Sequence, residues 1–457
     1  MIKRIHFIGI AGIGMSAIAI VLKKLDYHIT GSDLNIQSLD YLIESGVNIY
    51  SGHHSQNIKN SQLIVRSTAI QDNNIEIIAA KEHKIPIISR GQMLAELMHL
   101  YYSIAVTGTH GKTTTTSLLF EVFNYANLQP SCIVGGKLMS TNTNAVLGGG
   151  KHFIIEADES DASFLHLFPM MAIITNIDYD HMDTYNQESN NLISSFLQFL
   201  SHIPFYGCAV LCYEDQILRT ITPQIKSSTI TYGFNKKADL YATDISFHSK
   251  GSSFLVHYPR YNLQFIINSN LLGTHNVLNC LAVIAIALEN NIDLINIVNA
   301  ILHFKGVARR TQYYQINSVR GNLLIDDYGH HPVEIKTTIE GIKKAHSDKK
   351  ILLVFQPHRY TRTRDLFAQF IDSIKIADQV ILSSTYTANE ELIVGYDSLA
   401  LATAIENSGF SNILYASSLN LVPDIIYNLH LANTIVVIMG AGNITSLAKI
   451  IADSNNL

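Results

Sequence analysis

Gly108-Thr109-His110-Gly111-Lys112-Thr113-Thr114 is the stretch that decides how this chain reads. It follows the apolar run Ser103-Ile104-Ala105-Val106, a strand by length and character, and it opens a helical stretch. A glycine-containing turn between strand and helix points successive backbone N–H groups and the positive end of the helix dipole at one place. Phosphate oxygens suit that place. Lys112 would neutralise the β- and γ-phosphates of a nucleoside triphosphate, and the Thr113 hydroxyl would reach Mg²⁺. Val106 stands where the first glycine of GxxxxGK[ST] would fall, so the loop is a shorter variant. The plainer alternative is a turn bearing a surface lysine.

Downstream lie two acidic runs, Glu156-Ala157-Asp158-Glu159-Ser160-Asp161 and Asn176-Ile177-Asp178-Tyr179-Asp180-His181. Carboxylates at a strand end beside a phosphate loop are placed to hold Mg²⁺, directly or through water. Read alone, the first run equally fits a helix cap and a solvated face, and His181 a structural hydrogen-bonder. Upstream, Gly9-Ile10-Ala11-Gly12-Ile13-Gly14 with Asp33 is similar to a dinucleotide fingerprint. Ala11 occupies a position where backbone must approach a pyrophosphate closely, so the turn suits a diphosphate of another kind or is simply tight. Asn276 and Asn279 share one face of a helix start, where they could read an adenine edge or cap the helix. The adjacent Arg309 and Arg310 suit phosphate or carboxylate charge, or form a solvated pair. Asp326-Asp327-Tyr328-Gly329-His330-His331-Pro332 and Gln356-Pro357-His358-Arg359-Tyr360-Thr361-Arg362 are polar runs next to apolar strands.

Around these motifs, strands and helices alternate, which predicts an α/β fold with doubly wound, largely parallel sheets. The expected strands are Ile5–Ile8, Tyr27–Thr30 (leading into Gly31-Ser32-Asp33), Leu63–Val65, Ile85–Ile88, Phe153–Ile155, Ala172–Thr175, Leu323–Ile325, Ile351–Phe355, Val380–Leu382 and Thr434–Met439. Helices are expected at about Met15–Leu25 and Asn276–Glu289, and residues 238–268 read as short hairpins forming a small appended sheet. A chain of 457 residues suggests about three domains, and its 47% apolar content supplies their cores. A net charge of −5 creates no general polyanion field, so nucleic acid is not expected as a partner. Cys132, Cys208, Cys212 and Cys280 lack metal or disulfide spacing and read as buried thiols of a reducing compartment. The N-terminal apolar run is broken by glycines, unlike a secretory signal, and no stretch offers the ~20 apolar residues of a membrane span.

Taken together and in order, these motifs resemble the Mur ligases of peptidoglycan synthesis, and the likeness extends over nearly the whole chain. Glu156–Phe164, Asp326–Pro332 and Gln356–Thr363 resemble the alanine-adding branch. The resemblance implies a three-domain architecture: an N-terminal Rossmann-like domain (1–99), a central P-loop ATPase domain (100–309) and a C-terminal Rossmann-like domain (310–457). It implies ATP and Mg²⁺ as cofactors, UDP-N-acetylmuramate and L-alanine as substrates, a cytoplasmic location, and a monomer or homodimer. Gly108 through Thr114, Asn276, Asn279 and Arg310 would bind ATP. Thr113, Glu156 and His181 would hold the metal, and Lys112, Arg310, Asp327 and His330 would serve catalysis. Gly12, Gly14, Met15, Ser16, Asp33, Ser67, His331, His358 and Arg359 would contact substrate. Four positions depart from the family's usual pattern: Ala11 for a glycine, Thr311 for an aromatic, and both Thr387 and Asn389 where Thr387-Ala388-Asn389-Glu390 replaces Pro-Ala-Gly-Glu. The rival readings are a recycling ligase adding a tripeptide, a nicotinamide-dependent oxidoreductase using the first glycine turn, and a non-catalytic UDP-sugar sensor.

Overall fold

Short apolar runs closed by glycine turns become the strands of three sheets. The computed structural model describes residues 2–36, 39–180, 182–314, 316 and 321–454. The first sheet contains β1 (Arg4–Ile8), β2 (His28–Asp33), β3 (Asn48–Ser51), β4 (Leu63–Arg66) and β5 (Ile87–Ser89) in the order β3-β2-β1-β4-β5, all pairs parallel. Gly31-Ser32-Asp33, expected to follow the second strand, lies inside it. The reason is pairing on both sides, with Gly31 opposite Phe7 of β1 and Ile49 of β3. The helix that follows the first glycine turn spans Ile13–Lys24, two residues earlier than its apolar periodicity suggested.

The second sheet holds β6 (Tyr102–Thr107), β7 (Ser131–Ile133), β8 (Ala145–Val146), β9 (His152–Glu156), β10 (Met171–Ile174), β11 (Cys208–Cys212), β12 (Ser228–Gly233), β13 (Leu240–His248), β14 (Gly251–Tyr258) and β15 (Leu263–Ser269). Their order is β15-β14-β13-β12-β11-β10-β6-β9-β7-β8. Residues 238–268 therefore do not form a separate small sheet. Tyr232 and Gly233 pair with Leu240 and Tyr241, which joins those strands to the central sheet. β6 lies between β9 and β10, with Val106 opposite Glu156 and Thr107 opposite Ile174.

The third sheet runs β16 (Gln312–Tyr314), β17 (Leu323–Asp327), β21 (Thr434–Met439), β18 (Lys350–Phe355), β19 (Gln379–Ser383) and β20 (Ile413–Ala416), where only the β16–β17 pair is antiparallel. Its central strands β21 and β18 are apolar from Ile435 to Met439 and from Ile351 to Phe355 because both faces are covered. Ile351, Leu353 and Phe355 enter one core with Ile335, Ile339 and Phe370, while Leu352 and Val354 enter the other with Val422 and Leu447.

The chain divides into two compact units, residues 1–243, 255–267 and 278–305 in the first and 244–254, 268–277 and 306–457 in the second. The four cysteines are buried and form no disulfide. Among the described residues, no helix is long and apolar enough to cross a membrane.

The first glycine turn closes against the sheet through Ile10, whose Cδ1 would lie 2.3 Å from a Cβ at Gly31 and whose Cβ would lie 2.8 Å from it. Gly31→Ala should therefore destabilise the protein by about 1–3 kcal/mol through overpacking. A urea titration checks this, and an unchanged midpoint would show that Ile10 yields without cost.

Candidate active site

The site of the first unit is built where β6, β9 and β10 end. Gly108 and Gly111 have positive φ values of 121° and 83°, a region that L side chains enter at a cost. A Cβ at Gly108 would also fall 2.3 Å from Thr175 Oγ1 and 2.7 Å from the Asn176 carbonyl oxygen. The loop is latched to the segment after β10. Thr109 N–H donates to Asn176 O (3.1 Å), His110 N–H to Asn176 Oδ1 (2.9 Å), and Asn176 Nδ2 and Thr175 Oγ1 donate to His110 O (3.0 and 2.6 Å). Thr109 Oγ1 accepts from Asp178 N–H at 2.8 Å, and the His110 ring meets Asp178 Oδ2 at 3.2 Å.

Helix Lys112–Tyr125 starts at this loop. Lys112 Nζ curls back to donate to Gly108 O (2.7 Å) and Thr109 O (3.1 Å), and it pairs with the Glu159 carboxylate at 3.0 and 2.7 Å. Burial works against its charge, but Glu159, Asp158 and Glu156 prevail and hold the ammonium above its ordinary range. Burial pushes Glu159 the other way for a carboxyl, up to about 7, despite the attraction of Lys112. Thr113 Oγ1 donates to Glu156 Oε1 (2.9 Å), and Glu156 Oε2 accepts from Gly135 N–H (2.6 Å). Asn279 lies beside Gly111, 2.9 Å from where a Cβ would stand. His181 lies outside the described residues.

The first glycine turn is gripped by the end of β2. Gly9 and Ile10 N–H donate to Ser32 O (2.9 and 3.1 Å), and Ala11 N–H donates to Asp33 Oδ2 (2.9 Å). Ser67 packs beside Gly9, with its Cβ 3.0 Å from a Cβ built there. Gly12 and Gly14 bracket the helix start, while Met15 and Ser16 are buried and the Ser16 hydroxyl donates to Ile13 O at 2.9 Å.

The second unit assembles its own polar cluster. Asp327, at the end of β17, accepts from Thr311 N–H (2.7 Å), Thr311 Oγ1 (3.2 Å) and Gly329 N–H (2.7 Å). Burial raises its carboxyl above the usual range, with Arg310 and the two backbone donors pulling it back. The guanidinium groups of Arg309 and Arg310 lie over the Tyr328 ring, 5.0 and 4.8 Å from its centroid. His330 meets Tyr328 edge-on at 5.3 Å and His358 at 5.8 Å, and His358 stacks on Tyr386 at 5.2 Å. His331 caps helix Pro332–Ala345, accepting from Val333 N–H at 3.3 Å, a structural duty that its sequence context had not announced. Arg359 is exposed at φ 71°, with its N–H bonded to Tyr386 O. Asn276 is buried and donates to Leu272 O at 2.7 Å.

Comparison with known proteins matches these features to one family. Profiles described as the Mur ligase family catalytic domain, the Mur ligase middle domain and the Mur ligase glutamate ligase domain match residues 4–102, 106–287 and 309–442. A UDP-N-acetylmuramate–L-alanine ligase of Ruthia magnifica is 45% identical, with 98% of this chain and 96% of that protein covered. The chain belongs to the Mur ligase family. The same-named ligase of Neisseria meningitidis serogroup A is 44% identical, with 97% of this chain and 96% of that protein covered. Among solved structures, the UDP-N-acetylmuramate–alanine ligase of Thermotoga maritima is similar with a TM-score of 0.83 and 27% identity, covering 99% of this chain and 98% of that one. A murein peptide ligase from Psychrobacter arcticus is similar with a TM-score of 0.69 and 25% identity, covering 99% and 98%.

This Mur ligase tolerates its departures for identifiable reasons. Ala11 is not among the residues with positive φ, so its methyl group meets no backbone penalty. Asn389, at the position of the family's glycine, has φ 67°, a conformation that asparagine accepts better than most residues. Glu390 beyond it still binds Thr361, accepting from Oγ1 at 2.7 Å and N–H at 3.0 Å. Thr311 replaces an aromatic with a hydroxyl that serves Asp327.

Several participants escaped sequence reasoning. Glu159 sat inside a quoted acidic run, but nothing in the spacing said that it, rather than Asp158, faces Lys112. Arg90 reaches Asp161 Oδ2 (3.1 Å) and Ser163 Oγ (2.9 Å), and its Nη1 would lie 2.9 Å from a Cβ at Gly14. Only its place after the helix-capping Ser89 marked it. Tyr185, whose hydroxyl donates to Glu159 O, gave no signal.

Burial drives His330 down to about 3 and His358 to about 4, with Arg362 adding repulsion in both cases. Both rings are neutral at pH 7, whereas unfolded histidines take up protons near ~6.5. Stability should thus be lost as pH falls below that value toward the folded pKa values. Thermal melts between neutral and mildly acidic pH check this. The stability difference between wild type and His330→Gln should narrow as pH falls, and a constant difference would contradict it.

Proposed function

We propose that this Mur ligase joins L-alanine to UDP-N-acetylmuramate in peptidoglycan synthesis, converting ATP to ADP and phosphate in the process. The relatives with that printed name are 42–45% identical to it along nearly its whole length. The observation carrying the chemistry is the meeting of Lys112 with Glu159, just beyond the end of β9, and of Thr113 with Glu156, its last residue, beside a loop whose Gly108 and Gly111 take positive φ.

In the proposed sequence, an oxygen of the lactyl carboxylate attacks the γ-phosphorus of ATP, the bond to the β,γ-bridging oxygen breaks, and ADP leaves. The resulting acyl phosphate is attacked at its carbonyl carbon by the alanine amine, which has lost a proton. Phosphate departs and the amide remains. Lys112 offsets charge on the transferring phosphoryl group, as does Arg310, and loop N–H groups fix its position. Thr113 and Glu156 offer the hydroxyl and carboxylate oxygens that suit Mg²⁺, and family resemblance assigns His181 to the same ion. When bound there, the ion neutralises phosphate charge.

Asn276 and Asn279 are assigned to adenine, and Asp327 and His330 to the reacting groups. Gly12, Gly14, Met15, Ser16, Asp33 and Ser67 are assigned to the nucleotide-sugar, and His331, His358 and Arg359 to that substrate or alanine. The domain division at 1–99, 100–309 and 310–457 belongs to the same proposal, as do a cytoplasmic location and a monomeric or homodimeric state.

Lys112→Ala should lower turnover by at least ~100-fold, since losing a preorganised charge at a transferring phosphate costs about 3–4 kcal/mol. Near-normal turnover at saturating ATP would remove this loop from the mechanism. The wild-type assay should yield ADP only with UDP-N-acetylmuramate and L-alanine both present. AMP as product, or preference for a tripeptide over alanine, would overturn the assignment.

Glu156→Gln and His181→Ala should each shift the magnesium dependence of turnover to higher concentration. Superimposable magnesium titrations for wild type and both variants would dismiss these two residues as metal ligands.

A further inference from the structure

Glu76 is fully buried, yet the mechanism has no use for it. It sits in the first turn of helix Ile75–Glu82, and its carboxylate is surrounded by donors from three other segments. Oε1 accepts from Asn57 Nδ2 (2.6 Å) and His54 N–H (3.2 Å). Oε2 accepts from Ser32 Oγ (2.6 Å) and lies 3.2 Å from His53 Nδ1 and 3.7 Å from His6 Nε2. His6 is itself buried on β1 and bonded through Nδ1 to Thr30 Oγ1 at 2.7 Å. Burial alone would raise the pKa of this carboxyl, but these partners outweigh it and hold Glu76 at about 2.

An ionised carboxylate in a protein interior is costly unless every oxygen is satisfied, and packing alone does not require one. What this one fixes is Ser32. The Ser32 hydroxyl binds Glu76, and its carbonyl takes the N–H groups of Gly9 and Ile10. The next residue, Asp33, takes the N–H of Ala11 through its side chain, and its own carbonyl is held by Gly52 N–H at 2.8 Å. Three consecutive amides of the glycine turn thus hang on two consecutive residues of β2. One of those two is clamped from behind by Glu76.

We propose that Glu76 is a positioning residue for the nucleotide-sugar: acting through the Ser32 hydroxyl, it sets the path of the first glycine turn. The proposal rests on the reading that this turn holds the diphosphate of UDP-N-acetylmuramate. Glu76 never touches that ligand. Its effect is on binding of one substrate and not on phosphoryl transfer.

The test uses the full-length enzyme carrying Ser32→Ala or Glu76→Gln, with each substrate varied in turn. Ser32→Ala removes the hydroxyl's bond to Glu76, along with its contact to His53 Nδ1 at 3.1 Å, and should raise the KM for UDP-N-acetylmuramate about 3- to 10-fold, the worth of such a bond. Glu76→Gln, which cannot accept from Ser32 through its amide nitrogen, should raise it at least as much. The kcat and the KM values for ATP and L-alanine should stay at wild-type values, and the double variant should add little to the larger single effect. An unchanged KM for the nucleotide-sugar, or a parallel rise for all three substrates, overturns the proposal. If Glu76→Gln fails to fold, Ser32→Ala decides alone. Amide hydrogen exchange separates this from the underlying reading. UDP should slow exchange at residues 9–16 of the wild type, and absence of that protection would sink the reading itself, whereas protection with unchanged KM in the variants sinks only the role of Glu76.

Discussion

The level register of three parallel strands governs everything at the Gly108–Gly111 loop. Val106 of β6 stands opposite Glu156 of β9, and Thr107 stands opposite Ile174 of β10. Three chain segments therefore leave the sheet at the same height: the glycine loop, the acidic run and the Asn176 segment. Because the strands are parallel, all three leave in one direction, toward the edge where open α/β sheets bind ligands. Shifting either neighbour by one residue would exchange inward and outward side chains along that strand. Glu156 would then lose Thr113, and Asn176 would lose the backbone of His110.

Within that frame the loop's conformation is over-determined. Gly108 is pressed against Thr175 and Asn176, which excludes a side chain, and Asn176 grips the loop by both its amide nitrogen and its amide oxygen. The second unit repeats the logic with different chemistry. Asp327 ends a central strand, is held by the backbone of Gly329 and by Thr311, and has its charge opposed by burial and supported by Arg310. Both arrangements place an ionisable group at a strand end, where the sheet fixes the main chain and the following loop supplies donors.

The local part of this was legible in the sequence. Apolar runs followed by glycines marked the strands and turns, and Lys112 next to Thr113 marked the helix start where the polar cluster gathers, because both signals lie within a few residues. Partners distant along the chain were not legible. Lys112 and Glu159 are 47 residues apart, and Ser32 and Glu76 are 44 apart. Nothing in either segment specifies which carboxylate turns inward. Residues 238–268 were misjudged for a related reason: alternation predicts strands but not which sheet edge they extend. That choice rested on two residues, Tyr232 and Gly233, whose pairing carries β13 onto β12.

The pair formed by Lys112 and Glu159 has a consequence beyond stability. A lysine this enclosed cannot be left without an anion, since breaking a buried ion pair by removing one partner costs about 3–5 kcal/mol. Glu159 fills that role in the structure and also shares Lys112 with the carbonyls of Gly108 and Thr109. Phosphate oxygens entering the loop would replace one anion with another, so Lys112 keeps a counter-charge throughout. Much of the desolvation of the ammonium is thus in place in the structure, where the Lys112 side chain is 15% exposed, and an incoming phosphate would meet a cation already aimed along the loop. Glu159 is the group whose circumstances change. With burial holding its carboxyl near 7, losing Lys112 leaves it a carboxylate that binds a proton more readily than solvent-exposed ones do. Protonation lets it remain buried as a neutral acid, so the same burial that makes Glu159 a good partner for Lys112 also makes it one that can be dismissed.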